Sequence, residues 1–85
     1  MRTFDYVITV ESGFRPLSAG ELVSAAEEFE SHIKIITGHK SADAKRILSV
    51  VSLGARKGQR ITVETEGIDE IVAARRLRRW LTENM

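Results

Sequence analysis

A chain of 85 residues, 42% of them apolar and one of them proline, holds enough material for one hydrophobic core and too little for two, so one folded domain over 1–85 is expected and intrinsic disorder is excluded. It has no cysteine, which removes disulfide staples and thiolate metal sites and fits a reducing, cytoplasmic setting. Thirteen Lys and Arg against twelve Asp and Glu leave a net charge of +1, so electrostatic function has to arise from local clustering. The opening MRTFDYVITV lacks an apolar run of signal-peptide length, and no stretch approaches a membrane span.

From Phe4 to Val10 the pattern alternates with period two and puts Phe4, Tyr6, Ile8 and Val10 on one face, the pattern of a half-buried strand. After a turn at Ser12-Gly13, residues Ala19, Leu22, Val23, Ala26 and Phe29 recur at helical spacing, with Glu21, Glu27, Glu28 and Glu30 on other faces. Pro16 suits the first turn of that helix, where its missing N–H would have no partner in any case, and Ser18 with Glu21 offers a second capping start. His32 to Thr37 reads as a strand, Gly38-His39 as a turn, and Lys40 to Ala44 as a short polar strand. Ile47, Leu48, Val50, Val51 and Leu53 then run to Gly54, which predicts a helix of about two turns stopped by glycine. Arg60 to Thr65, with Ile61 and Val63 facing inward, is a further strand, and Gly67 introduces a last helix whose stripe is Ala73, Leu77 and Leu81, with Ala74 and Trp80 beside it. Its acids Asp69 and Glu70 come first and its arginines, Arg75, Arg76, Arg78 and Arg79, come later, which complements the helix dipole. The order βαββαβα predicts an α+β domain, a four-stranded antiparallel sheet covered on one face by three helices.

Several stretches carry a more specific signal: ESG at 11–13, LV at 22–23, AKRILSVVSLGARKG at 44–58 and ITVETEGIDE at 61–70. Together they resemble the phosphocarrier protein HPr family of the bacterial sugar phosphotransferase system, without gaps from about Val7 to Leu81. The 44–58 segment is similar to the family stretch L-K-S-I-M-G-V-M-S-L-G-x-x-x-G, and the resemblance implies the same βαββαβα open-faced sandwich.

The departures fall on the family's functional positions. Its motif G-[LI]-H-A-R-P-A is here Gly13-Phe14-Arg15-Pro16-Leu17-Ser18-Ala19, so the resemblance implies that Arg15 stands in the place of the phosphorylated histidine. Leu17 stands in the place of the arginine that holds the phosphoryl group, and Pro16 in that of an alanine with a free N–H. Arg46 takes the place where many members carry a serine phosphorylated by a regulatory kinase. A guanidinium stays protonated at physiological pH and offers no nucleophilic nitrogen.

Two readings of Arg15 stand, a solvated residue left after the histidine was lost and a contact for an acidic side chain. The second extends to a docking surface, apolar at Ile47, Leu48 and Val51 and basic around them at Arg15, Arg46 and Arg56, with Pro16 and Leu17 adjoining and Lys45 and Lys57 nearby. The expected function is an HPr-like regulatory binding module that does not carry phosphate, its partner an acidic protein surface on a phosphotransferase component or a transcriptional regulator. The alternatives are a phosphocarrier using another acceptor, His39 or a serine, and a protein that self-associates by exchanging its first strand through a hinge at Glu11–Pro16; Ser49 and Ser52, which flank the patch, read as helix surface open to a kinase. No catalytic set, cofactor or metal site is expected: His32 and His39 lack a third ligand. The arginines of the last helix read as a solvated cluster partly paired with Asp69 and Glu70, next to Ile71 and Val72. Without interleaved aromatic residues they do not predict nucleic-acid binding.

Overall fold

Alternation in the strands and a repeat of three to four residues in the helices produce the expected order. The structure, a computed structural model describing residues 1–85, runs β1 (Arg2–Val7), α1 (Pro16–Glu27), β2 (His32–Thr37), β3 (Lys40–Asp43), α2 (Ile47–Ser52), β4 (Arg60–Glu66) and α3 (Glu70–Asn84). The strands form one antiparallel sheet in the order β1-β4-β2-β3.

Register shows how period two makes a core. Phe4 lies opposite Val63, Val63 opposite Ile35 and Ile35 opposite Ala42, and all four are buried beneath the helices. The neighbouring row, Asp5, Thr62, Ile36 and Ser41, projects from the other face. There the Thr62 hydroxyl donates to Asp5 at 2.7 Å. α3 packs on β1 and β4, α2 on β3, and α1 on both other helices. Between the layers lies one cluster of 21 buried apolar residues, including Leu22, Ile61, Leu77 and Leu81. No helix is long and apolar enough to cross a membrane.

Three local expectations are corrected. β1 ends at Val7, short of Val10: Ile8 N–H still donates to Gln59 O at 3.0 Å, but Thr9 and Val10 turn their N–H groups to Met85 O, at 2.5 and 3.1 Å, at the end of α3. The Thr9 hydroxyl donates to the same oxygen at 2.8 Å. α1 ends at Glu27, leaving Phe29 half-buried against the core from the following turn.

The third correction concerns Asp69 and Glu70, which do not pair with the arginines of α3. Gly67 has φ 154°, and a Cβ there would lie 2.7 Å from both Ser31 Cα and Oγ, so only glycine lets the start of α3 close on the turn after α1. That approach brings Asp69 to the turn, where its carboxylate accepts the N–H groups of Glu30 and Ser31, each at 2.9 Å, and the buried Ser31 hydroxyl. The Ser31 hydroxyl first, then the Glu30 N–H, hold the Asp69 carboxyl below its ordinary range. Glu70 is lowered as well, by the Met1 ammonium at 2.8 Å and then by the Gly67 N–H. Arg78 instead stacks over the Phe4 ring, 4.7 Å from its centroid, and Arg75, Arg76 and Arg79 have no carboxylate within ion-pair distance.

Candidate functional site: the start of α1 and the face of α2

Gly13 sets the geometry of the first helix start. Its φ is 59°, and a Cβ built on it would stand 1.9 Å from Ala55 O, so the β1–α1 loop can rest on the segment after α2 only because residue 13 has no side chain. This contact puts Arg15 and Arg56 at the same end of the molecule. Arg15 is the N-cap of α1, in extended conformation with φ −97° and ψ 163°, and Pro16 is the first helical residue as expected.

The expected second start at Ser18 does not form, because Ser18 is the third residue of the helix and serves the first start. Its hydroxyl accepts the Arg15 N–H at 3.0 Å and donates to Arg15 O at 3.1 Å. The reciprocal half of a capping box is missing in chemical terms: a guanidinium has no acceptor lone pair, so the Ser18 N–H facing the Arg15 side chain gains no bond from it. Leu17 N–H has no partner within the molecule either. The helix thus begins with two free donors beside a permanent cation, where a residue that accepts would be worth about 0.5–2 kcal/mol. Those donors and the Arg15 guanidinium line a cleft of about 480 Å³ with Met85, Asn84 and Glu21.

The apolar part of the surface comes from both helices. Leu17 and Leu48 are each 78% exposed and Ile47 is 41% exposed. Ile47 Cδ1 lies 3.5 Å from where a Gly20 Cβ would be, and Gly20 shares a face of α1 with Leu17 at i,i+3 spacing. The packing of α2 on α1 thus brings Leu17 toward Ile47 and Leu48 in one exposed strip. Val51 differs from Ile47 and Leu48, since it is half-buried and packs on the core.

Arg46 is the N-cap of α2, at the opposite end of this strip from Arg15 and Arg56. Its Nε lies 3.7 Å from Asp43, and the two side chains are 80% and 51% exposed; a pair in that setting contributes about 0–1 kcal/mol and leaves the guanidinium recruitable. Lys45, expected on the basic rim, is withdrawn from it, because its Nζ donates to Phe29 O at 2.6 Å and ties α2 to the end of α1. Lys57 pairs with Glu11 at 3.6 Å. The hydroxyls of α2 are engaged locally: Ser49 accepts the Asp43 N–H at 3.1 Å and Ser52 donates to Leu48 O at 2.6 Å. No group of three or more His, Asp or Glu side chains is placed to hold a metal ion.

The sheet order and the three helices on one face define a class of small open-faced α+β sandwich domains. Residues 2–83 match the family described as PTS HPr component phosphorylation site, and the chain belongs to the HPr family of the phosphotransferase system. It is 40% identical over 78 residues to the phosphocarrier protein HPr of Buchnera aphidicola subsp. Baizongia pistaciae, covering 92% of each chain. Among solved structures it is similar to a Mycoplasma histidine-containing phosphocarrier protein, with TM-score 0.93 and 27% identity over 96% of this chain and 93% of that one. It is also similar to the Bacillus subtilis catabolite repression protein Crh, described as a dimer with a swapped domain, with TM-score 0.79 and 25% identity over 94% of this chain and 92% of that one. HPr proteins are phosphocarriers, not catalysts.

Proposed function

We propose that this HPr-family chain has lost phosphoryl carriage at the start of α1 and works as a regulatory docking module. The carrying observation is Arg15 at the N-cap of α1, where the family motif has its histidine: its guanidinium stays protonated and offers no free nucleophilic lone pair of the kind imidazole has. Leu17, 78% exposed, supplies no donor where the motif has its phosphoryl-binding arginine.

The strip from Leu17 through Ile47 and Leu48, with Arg15 and Arg56 at one end and Arg46 at the other, supports docking against a partner that is acidic around an apolar centre. Pro16 and the half-buried Val51 complete the contact. A phosphotransferase component or a carbon-control transcriptional regulator is the partner class that family membership suggests.

The test is comparative capture from the native cytoplasm, with the wild-type chain and Arg15→Glu/Arg46→Glu as baits, followed by affinity measurement on the purified partner. Both positions are exposed, so the fold should survive. Affinity should fall by about tenfold or more, equal to ~1.4 kcal/mol. Unchanged affinity contradicts the docking face.

A second reading, self-association by exchange of the first strand, rests on the similarity to the swapped Crh dimer. It predicts a dimer whose population rises with concentration in light scattering; a strictly monomeric particle removes it.

A further inference from the structure

We propose that the end of the sheet opposite the turn at Gly67 carries an anion site for a small phosphorylated ligand, adjoining the docking strip and sharing Arg56 with it. The β2–β3 hairpin and the loop between α2 and β4 enclose a cleft of about 610 Å³. His39 and Lys40 line it on the hairpin side and Arg56 and Arg60 on the loop side, with Thr37 and Leu53 between them.

Three features separate this cleft from an ordinary charged rim. No carboxylate lines it, whereas the groove between α1 and α3 mixes Arg76 and Arg79 with Glu21, Glu28 and Glu83. None of its cations belongs to an ion pair, so Lys40, Arg56 and Arg60 line one cleft without a compensating carboxylate, and a bound anion would lower their mutual repulsion. The turn also contributes main-chain donors, because Gly38 N–H and His39 N–H make no hydrogen bond within the molecule. Fixed amide donors beside planar guanidinium forks match the several oxygens of a phosphate better than they match a single carboxylate. The groove between β1 and α3 is likewise basic, through Arg2, Arg75 and Arg78, but Arg78 is committed to the Phe4 ring.

The experiment is an NMR titration of the intact chain with pyrophosphate at low ionic strength, following the amides of Gly38 and His39, with tetra-aspartate as a carboxylate probe. Saturable shifts centred on the hairpin are expected, with tetra-aspartate at least about tenfold weaker. Lys40→Gln/Arg60→Gln, which leaves the docking strip intact, should weaken pyrophosphate by about tenfold or more (~1.4 kcal/mol). Arg75→Gln/Arg79→Gln removes the same charge from α3 and should leave affinity within about twofold. The site is overturned by an absence of saturable shifts at the hairpin, by equal weakening in both double variants, or by equal affinity for tetra-aspartate.

Discussion

The starts of α1 and α3 differ in what the N-cap side chain does. Before α3, Gly67 closes on Ser31, and the Asp69 carboxylate gathers two N–H groups and a hydroxyl from the turn after α1. Before α1, Gly13 makes an equally close approach to Ala55, but the N-cap is a guanidinium that accepts nothing and leaves the Leu17 and Ser18 donors unused. Both helices leave two first-turn N–H groups without an internal partner, Leu17 and Ser18 in α1 and Ile71 and Val72 in α3; the difference is that the Asp69 side chain holds the layers together while the Arg15 side chain makes no bond. The start of α1 thus leaves its N-cap cation and the neighbouring Leu17 exposed to solvent and uncommitted within the molecule.

Both glycines can be used to break the comparison. Gly13→Ala should be the most damaging change, since the new Cβ meets a backbone oxygen at 1.9 Å and φ is 59°; a loss of more than about 3 kcal/mol in urea unfolding is expected. Gly67→Ala should cost somewhat less, about 2–3 kcal/mol by the same measurement, because part of what its Cβ meets is the Ser31 side chain. If either variant unfolds like the wild type, the close approach it is said to require is not made. Thr9→Val removes the hydroxyl that reaches Met85 O and should cost about 1 kcal/mol, with faster amide exchange at Val10.

Charge sharpens the contrast further. Arg15→Asp supplies an acceptor and a negative charge at the N-terminus of α1, so it should stabilise the fold by about 0.5–1 kcal/mol while weakening the acidic partner. A variant that binds less and melts no higher would show that the helix start carries no frustration. Asp69 makes the converse prediction through pH. Its folded pKa is lowered below the model-compound value of 3.8, so its contribution is present above that value and is lost as pH falls through the lower folded one. Unfolding midpoints of the wild type should drop below about pH 4, and Asp69→Asn should lack that part of the acid dependence. Parallel acid profiles for the two proteins would contradict the assignment.

Most of the architecture was readable from periodicity, because the buried row Phe4, Val63, Ile35 and Ala42 imposes alternation on every strand, and Gly38-His39 and Gly54 punctuate the chain locally. What periodicity missed depends on contacts far apart in sequence. Asp69 looked like a partner for the arginines of its own helix, yet it serves a turn 38 residues earlier. The end of β1 is set by Met85, 76 residues from Thr9, and no local pattern encodes that pairing. At the candidate site, Arg15, Leu17, Leu48 and Arg46 were identifiable from motif position and are exposed. The withdrawal of Lys45 to Phe29 O required the fold.

Incubation with phosphoenolpyruvate and enzyme I, followed by the intact mass of the wild-type chain and of Arg15→His/Leu17→Arg, tests the central claim most directly. The account predicts no phosphoryl adduct on the wild type and an acid-labile one on the double variant, whose two changes restore the acceptor and the group that holds the phosphate. An acid-labile adduct on the wild-type chain would contradict it.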